Sequence, residues 1–403
     1  MSERTVRDLG DEHRPRFQEL VDYAFDAARG PTSYDSPDET PRMLGRTVGV
    51  FEAGDLKSVC IHHDFTARLR EDWLPMAGLA AVATPPEHRR EGLGRTLVED
   101  ALQRWRGASP LAALWPFEYP YYRQFGWALA NTAVRYACPP AALAPARGAG
   151  GTARRVGPGE WEQLQDVHET HGADRNLTLR RDGEWWRRRV FRSLGGGKRY
   201  VYAVEREGRV DGYVAYTVEN GGSQLRVSDL AFRDREAYRR LLELLADHDS
   251  QVEEVVLYRE DERSLFSVVE DPAAVDCAVE PGPQVRVVDV ERALEALSYP
   301  DDATATLRLS VTDRHAAWND DCFELRVADG TGECRRVGGE RTDVDENADA
   351  DASLDVGALS QLYVGFRSAA ELRRAGDLGA DDGTVEALAA LFPTETVYLR
   401  EYF

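Results

Sequence analysis

Residues 89–94 read Arg-Arg-Glu-Gly-Leu-Gly and lie where an apolar stretch, 76–84, runs through two prolines into a helical pattern. Glycines at 92 and 94 allow the backbone to come close to an anion. The free N–H groups and the positive dipole end of the following helix would then bind a pyrophosphate. The alternative is an ordinary strand-to-helix turn, because the glycine spacing matches neither the Rossmann nor the Walker motif.

Hydrophobic periodicity predicts the elements that position this turn. A strand is expected over 76–84, and the helix that begins at the glycines has apolar residues at the 3.6-residue period. These residues are Leu93, Leu97, Ala101, Leu102 and Trp105. A second strand is expected over 110–115, and the aromatic segment Tyr-Tyr-Arg-Gln-Phe-Gly-Trp follows at 121–127.

This order of strand, Arg-x-x-Gly-x-Gly turn, helix, strand and Tyr-x-x-Phe-Gly-aromatic segment resembles the core of the GNAT acetyltransferases. The likeness narrows to the enhanced-intracellular-survival (Eis) group. It is carried by the His88-Arg89-Arg90 entry to the turn, the Tyr122-x-x-Phe125-Gly126 segment and a chain of 403 residues that ends in phenylalanine. The likeness covers the whole length, although only 76–127 carry specific motifs.

The resemblance implies that the turn binds acetyl-CoA and that a bulge in the preceding strand presents backbone N–H groups to the thioester. The implied contacts are Val82, Ala83, Thr84, Arg89, Arg90, Gly92, Leu93, Gly94 and Arg95. No metal is expected, because neither the eight histidines nor the five cysteines have the spacing of metal ligands. The cysteines are predicted to be buried, reduced thiols in a cytoplasmic protein.

Tyr122 is the candidate general acid. A phenol with a pKa near 10 is protonated at neutral pH and could protonate a departing thiolate. On spacing alone, Tyr121 and Tyr122 are equally well explained as core aromatic residues. The resemblance implies the catalytic role for Tyr122.

The chain ends in an apolar segment, 396–403, predicted to be a strand. An ordered terminus would fix its α-carboxylate, which is ionised at neutral pH and could accept a proton from an amine. The resemblance implies that the carboxylate of Phe403 is the catalytic base. The alternative is a buried edge strand that happens to end there.

Candidate residues for binding an amine lie after the first helix and after the second core strand. They are Asp26, Tyr34, Trp115, Phe117 and Glu118. In so acidic a chain these carboxylates are otherwise explained as solvated surface. The resemblance implies a broad range of amines, including aminoglycoside-like polyamines, without indicating the natural substrate.

The net charge of -21 argues against a nucleic-acid partner, because contacts to nucleic-acid phosphates would need a basic face. Lys57 and Lys198 are the only lysines, and acid excess with few lysines predicts adaptation to high salt. An acidic mesophile with a GC-rich genome is the other reading. No run of eighteen apolar residues and no signal peptide is present, so a membrane association is not expected.

Three domains of α/β and α+β type are predicted: 1–145, an acetyl-CoA-binding GNAT domain; 152–290, a second GNAT-like domain; and 291–403, for which the resemblance implies a sterol-carrier-like α+β domain. The order of hairpin, strand and helix in the first domain is repeated in the second domain. The turn that corresponds to 89–94, however, reads Arg-Asp-Arg-Glu-Ala at 233–237 and has no glycine. Two carboxylates at a helix start would repel a pyrophosphate, so this domain is expected to be degenerate.

The sequence therefore favours an acetyl-CoA-dependent N-acetyltransferase, for which the resemblance also implies a homo-oligomer, either hexamer or trimer. The alternative is a non-catalytic binding or scaffold protein whose last domain carries an apolar ligand. An intact glycine turn in one GNAT-like copy beside a lost one in the other argues against that alternative.

Overall fold

The computed structural model describes residues 4–28, 30–193, 197–337 and 350–403. In chain order, its strands are β1 (Arg4–Asp8), β2 (Arg46–Glu52), β3 (Asp55–Leu69), β4 (Asp72–Ala83), β5 (Leu111–Leu114), β6 (Ala128–Leu129), β7 (Thr132–Cys138), β8 (Thr152–Arg155), β9 (Tyr200–Arg206), β10 (Arg209–Glu219), β11 (Gln224–Phe232), β12 (Glu254–Arg259), β13 (Asp276–Pro281), β14 (Gln284–Val287), β15 (Ala305–Thr312), β16 (Asp321–Ala328), β17 (Thr331–Arg336), β18 (Ala352–Asp355) and β19 (Leu378–Ala380).

The helices are α1 (Arg14–Phe25), α2 (Leu93–Trp105), α3 (Tyr119–Arg123), α4 (Trp161–His171), α5 (Gly183–Trp185), α6 (Arg235–Ala246), α7 (Val290–Ala296), α8 (Val356–Tyr363), α9 (Ala369–Ala375) and α10 (Asp382–Leu391). Within the described ranges, no helix has both the length and the apolar character needed to cross a bilayer.

The chain forms two compact units. Unit 1 holds the described residues of Met1–Ala130, Pro283–Glu395 and Glu401–Phe403, and unit 2 holds those of Asn131–Gly282 and Thr396–Arg400. Unit 1 contains a seven-stranded sheet of order β1-β2-β3-β4-β5-β14-β6 and a five-stranded sheet of order β17-β16-β15-β18-β19. Unit 2 contains one seven-stranded sheet of order β13-β7-β12-β11-β10-β9-β8.

The apolar face predicted for α2 forms the core of the first sheet. Leu93, Leu97, Ala101, Leu102 and Trp105 are each at most 2% exposed. They pack with residues of β4 and β5 in one buried cluster. In unit 2, α6 occupies the equivalent place, and its apolar residues pack against β10, β11 and β12.

The two large sheets exchange one strand each, which the sequence did not predict. β7 follows β6 in the chain but lies between β12 and β13 in the sheet of unit 2. β14 follows β13 but lies between β5 and β6 in the sheet of unit 1. The observed division therefore differs from the predicted domains 1–145, 152–290 and 291–403, because a short apolar strand carries no local signal for which of two similar sheets it joins.

The end of the first predicted domain is a 3-10 helix, Pro140–Ala146, whose Leu143 and Ala146 are fully buried. Two smaller expectations differ from the structure. In the described part of the chain, the final segment, 396–403, forms an isolated bridge at Val397 and no strand ladder, although Val397, Tyr398, Leu399 and Phe403 are buried. Cys277 is exposed on β13, whereas Cys60, Cys138 and Cys334 are buried, and all five cysteines are free.

Two buried histidines lie on α4 in unit 2. Burial, together with the nearby Arg181, lowers the pKa of His168 well below its ordinary value of 6.5. The pKa of His171 is lowered in the same direction, again mainly by burial. The Nε2 atom of His168 lies 2.8 Å from the carbonyl oxygen of Leu179.

We predict that His168 makes the protein less stable in mild acid. The unfolded chain takes up a proton below pH 6.5 and the folded chain does not, so stability is lost as pH falls through this value. The loss from this residue is about 1 kcal/mol between pH 6.5 and 5.5. Urea unfolding of the wild type and of His168→Gln at both pH values measures it: the variant should lose about 1 kcal/mol less, and identical losses would contradict the prediction.

Candidate functional site

β4 contains a bulge just before the glycine turn. Val59 pairs with Ala83 but Ile61 pairs with Ala80, so Ala81 and Val82 together oppose a single residue of β3. Ala81 also has a φ of 49°. A bulge interrupts the ladder and presents main-chain groups to the side. The bulge implied by the family resemblance is therefore present, and Val82 lies in it.

The two parallel strands of the first sheet, β4 and β5, stop pairing just before this bulge. Their pairing runs from Met76 with Leu111 to Leu79 with Leu114. β4 then continues to Ala83, whereas β5 ends at Leu114. The space beyond the end of β5 and beside the continuing β4 is called the gap below, and it lies at the carboxyl ends of these strands, where open α/β sheets bind their ligands.

The glycine turn leads from the bulge into α2. Arg90 and Gly92 adopt left-handed conformations, with φ of 64° and 82°. Gly92 is the residue that precedes the helix, and it has no side chain to accept hydrogen bonds from the first-turn N–H groups. An anion can accept those bonds instead and is favoured by the helix dipole.

The other candidate cofactor residues contribute mainly through the backbone. Leu93 and Ala83 are each 1% exposed, so their side chains belong to the core. The Thr84 hydroxyl lies 2.7 Å from the Ser58 hydroxyl, and Arg89 donates from Nε to the Thr84 carbonyl at 3.0 Å. Arg95 is exposed on the first turn of α2, where its guanidinium can reach a phosphate.

The equivalent helix start in unit 2 is already occupied by a carboxylate. Asp234 accepts a hydrogen bond from the Ala237 N–H at 2.9 Å and pairs with Arg206 at 2.5 Å. Although burial opposes it, hydrogen bonding to Arg206 and to backbone N–H groups holds the pKa of Asp234 below its usual range. A negative side chain thus takes the place that an anionic ligand would need, which supports the prediction that this turn does not bind one.

Tyr122 is buried beside the glycine turn. It is 3% exposed and belongs to the same core cluster as Leu79 and Leu93. Burial raises the pKa of its phenol well above the ordinary value of 10. Its neighbour Tyr121 stands edge-on to it, with ring centroids 5.0 Å apart, and points its hydroxyl at the turn: a Cβ on Gly94 would lie 2.3 Å from the Tyr121 hydroxyl oxygen.

Phe403 packs on the other face of β3 and β4. Its ring centroid is 4.8 Å from that of Phe65 and 5.5 Å from that of His63. Gly78 makes room for it, because a Cβ there would lie 3.0 Å from the Phe403 ring. Trp115, the first residue after β5, donates from Nε1 to the Glu401 carbonyl at 2.7 Å. The last three residues are therefore anchored to the strands that border the gap.

The remaining substrate candidates are partly accessible. Phe117 is 63% exposed and stacks near Tyr121 and Tyr122. Glu118 is exposed at the start of α3, and Asp26 is exposed at the end of α1. Tyr34 donates its hydroxyl proton to Asp22. The structure thus groups Trp115, Phe117 and Glu118 next to the gap, while Asp26 and Tyr34 belong to α1 and the loop after it.

Two acidic residues near these candidates were missed by sequence analysis. Asp22 on α1 accepts from Gln18 Nε2 at 2.5 Å within the helix, and its bond from Tyr34 joins the loop after α1 to the helix. Glu401 is only 5% exposed although it carries a carboxylate. A signal existed for Glu401, because it is the one acid in the mostly apolar terminal segment 396–403, and a mostly apolar segment is expected to be buried. For Asp22 no local signal distinguished it from other surface acids.

Comparison with protein families assigns three parts of the chain. The acetyltransferase (GNAT) domain matches residues 5–130, and a second acetyltransferase (GNAT) domain matches 177–287. The sterol carrier protein domain matches 290–400. The fold is therefore two GNAT domains followed by a sterol-carrier-like domain, as predicted.

Two curated relatives match over most of the chain. N-acetyltransferase Eis of Mycobacterium tuberculosis is 27% identical over 344 residues, which cover 81% of each chain. The chain is an Eis-like GNAT N-acetyltransferase. An uncharacterized N-acetyltransferase of Streptomyces griseus is 28% identical over 361 residues, which cover 83% of each chain. The identification favours the enzyme over the scaffold alternative.

Solved structures resemble the Eis-like enzyme over its full length. Eis1 from Mycobacterium abscessus has a TM-score of 0.76 at 26% identity and covers 100% of both chains. A GCN5-related N-acetyltransferase from Anabaena variabilis has a TM-score of 0.85 at 20% identity, with the same coverage. The second of these supports the fold alone.

We predict that Gly94→Ala weakens binding of acetyl-CoA by about tenfold or more, the cost of disturbing one charged hydrogen-bonded contact. The new Cβ must displace the Tyr121 hydroxyl at the start of α2. Gly159→Ala is the matched control, since a Cβ at that position meets nothing within 4 Å. Calorimetry measures both affinities, and an unchanged affinity in Gly94→Ala would contradict the assignment of the turn as the acetyl-CoA site.

Proposed function

We propose that the enzyme transfers the acetyl group of acetyl-CoA to a primary amine by direct attack. Tyr122 is the general acid, and the α-carboxylate of Phe403 is the base. The observation that carries the proposal is the left-handed Gly92 turn, with its open helix start, beside a bulged β4 that has parted from β5.

The proposed cofactor contacts follow from this geometry. The first-turn N–H groups of α2 receive the pyrophosphate, and Arg89, Arg90 and Arg95 balance its charge on the outer side. The main chain from Val82 to Thr84 receives the thioester and the pantetheine amides. Because these contacts are made mostly by backbone, they tolerate side-chain changes except at the glycines.

The chemistry needs two proton movements. The amine lone pair attacks the thioester carbonyl carbon, so that a C–N bond forms and the C–S bond breaks. The proton lost by nitrogen goes to the Phe403 carboxylate, and the sulfur receives one from Tyr122. Burial keeps the pKa of Tyr122 above its ordinary value, so the phenol is always present as a donor. As a weaker acid than a thiol, it acts first by hydrogen-bonding the negative charge that develops on sulfur.

A cationic amine fits the groups around the proposed site. The buried Glu401 and the exposed Glu118 supply negative charge, while Trp115 and Phe117 supply aromatic surface. If the enzyme works in molar salt, where the Debye length is about 3 Å, only carboxylates in contact with the amine can select it. We therefore propose an amine with apolar or ring surface next to its ammonium group, of which aminoglycoside-like polyamines are one class.

Changing Tyr122 to Phe tests the acid. We expect acetyl-CoA to bind as before and kcat to fall by about 10²-fold or more, the scale for losing a positioned acid. Tyr121→Phe is the matched control, because it removes the neighbouring hydroxyl from the same helix. A wild-type kcat in Tyr122→Phe, with a loss in Tyr121→Phe, would move the role to Tyr121.

A C-terminal extension tests the base. Adding two glycines after Phe403 replaces the carboxylate at that point by a neutral amide, which cannot accept a proton. We expect kcat to fall by about 10²-fold while binding of acetyl-CoA persists. The same two residues added at the N-terminus serve as the control. Equal rates in the two extended enzymes would show that the terminal carboxylate is structural.

A further inference from the structure

Tyr122 lies on a helix that is too short to hold its own orientation. α3 spans only the five residues Tyr119–Arg123, whereas an isolated helix needs about 12 residues or more to persist in water. The position of Tyr122 must therefore depend on contacts from other elements. At the carboxyl end of α3 that contact comes from a buried charge.

Arg286 on β14 makes this contact. Its side chain is 0% exposed, and its Nε donates to the Phe125 carbonyl at 2.9 Å. The N–H of Phe125 in turn donates to the Tyr122 carbonyl at 2.9 Å. A short chain of hydrogen bonds thus leads from the guanidinium to the backbone of Tyr122.

Asp313 fixes the guanidinium in place. Arg286 Nη2 lies 2.8 Å from Oδ1 and 2.7 Å from Oδ2 of this carboxylate. Asp313 Oδ1 also accepts from the N–H groups of His315 and Ala316, and Oδ2 accepts from Asn319 Nδ2 at 3.1 Å. Both charges are therefore fully buried and held from several directions.

The residues around this ion pair also contact α8 and α2. Gly126 has a φ of 82°, and a Cβ there would lie 2.5 Å from Val356. The His315 ring packs 4.8 Å from that of Phe125, and its Nδ1 lies 3.0 Å from Glu99 on α2. The loop after β15 thus contacts both the end of α3 and the helix that starts at the glycine turn.

We propose that Arg286 and Asp313 are positioning residues for acetyl transfer, because the pair sets where Tyr122 stands relative to the glycine turn. The inference rests on the proposed role of Tyr122. Apolar residues could fill the same space with equal or greater stability, but they cannot aim a carbonyl as a planar guanidinium does. Asp313 lies in the part that matches the sterol carrier domain, which gives that domain a part in catalysis.

Arg286→Lys tests the pair while keeping its positive charge. A lysine amine lacks the planar fork and cannot serve Asp313 and the Phe125 carbonyl in the same way. Arg70→Lys is the matched control: Arg70 is half-buried in unit 1, where it donates to the carbonyls of Ser298 and Leu391. Both variants lose a guanidinium that donates to backbone carbonyls, but only the Arg286 contact reaches the Tyr122 segment.

We expect Arg286→Lys to lower kcat by about tenfold or more, as for a small displacement of a catalytic group, with acetyl-CoA affinity within twofold of wild type. Amide hydrogen exchange over 119–127 should accelerate. Arg70→Lys should change neither readout. In a Tyr122→Phe background, Arg286→Lys should cause no further loss of kcat, because its effect passes through that hydroxyl.

Wild-type kcat or unchanged exchange over 119–127 in Arg286→Lys overturns the inference, as does an equal kcat loss in Arg70→Lys. If Arg286→Lys fails to fold, Asp313→Asn, which keeps the shape and removes the charge, replaces it with the same expected readouts. A wild-type kcat in Tyr122→Phe beside a slow Arg286→Lys contradicts the acid role of Tyr122. It also overturns the inference as stated, since the effect would then act through another residue.

Discussion

The site depends on one constraint: β4 and β5 stop pairing at Leu79 and Leu114. Parallel strands that stayed paired would leave no room at their carboxyl ends. β5 ends there, β4 continues through the bulge at Ala81 and Val82, and α2 then begins after Gly92 with its N–H groups open. Every candidate contact to acetyl-CoA follows from this parting of the strands.

In the two GNAT domains, one residue at the N-terminus of a helix decides whether its first N–H groups are available to a ligand. α2 and α6 follow the equivalent strands of similar sheets. Gly92 leaves the first start open, whereas Asp234 fills the second with its own carboxylate. An N-terminal cap of this kind stabilises a helix by about 1 kcal/mol. The second domain therefore gains local stability at the position where the first keeps its capacity to bind an anion.

The buried charged pair Arg286–Asp313 differs in its role from the surface acids of this protein. Most acids lie on the surface and keep it hydrated, but Arg286 and Asp313 are a fully enclosed pair. Removing one member of such a pair costs about 3 to 5 kcal/mol, although the pair as a whole adds little stability. The pair instead fixes the position of the Phe125 carbonyl, and a five-residue helix such as α3 needs such a contact from another element to keep its orientation.

The sequence by itself determined the local elements around the site. The apolar period of α2, the glycine turn and the Tyr-x-x-Phe-Gly segment are short-range patterns, and each forms the predicted element. The lost turn at 233–237 is local as well, whereas the sterol-carrier type of the third domain followed only from the family resemblance. The Eis-like identity followed from these motifs together.

Only the tertiary structure decided how these elements are joined. β7 and β14 are short apolar strands that could complete either sheet, and the choice depends on long-range pairing that no local pattern encodes. The position of Arg286 also depends on long-range pairing. In the sequence it is one arginine among many. In the fold, β14 places it in contact with the Phe125 carbonyl, and Asp313, which directly follows β15, pairs with it. Such a contact joins residues far apart in the chain, and burial alone distinguishes it from an ordinary surface charge.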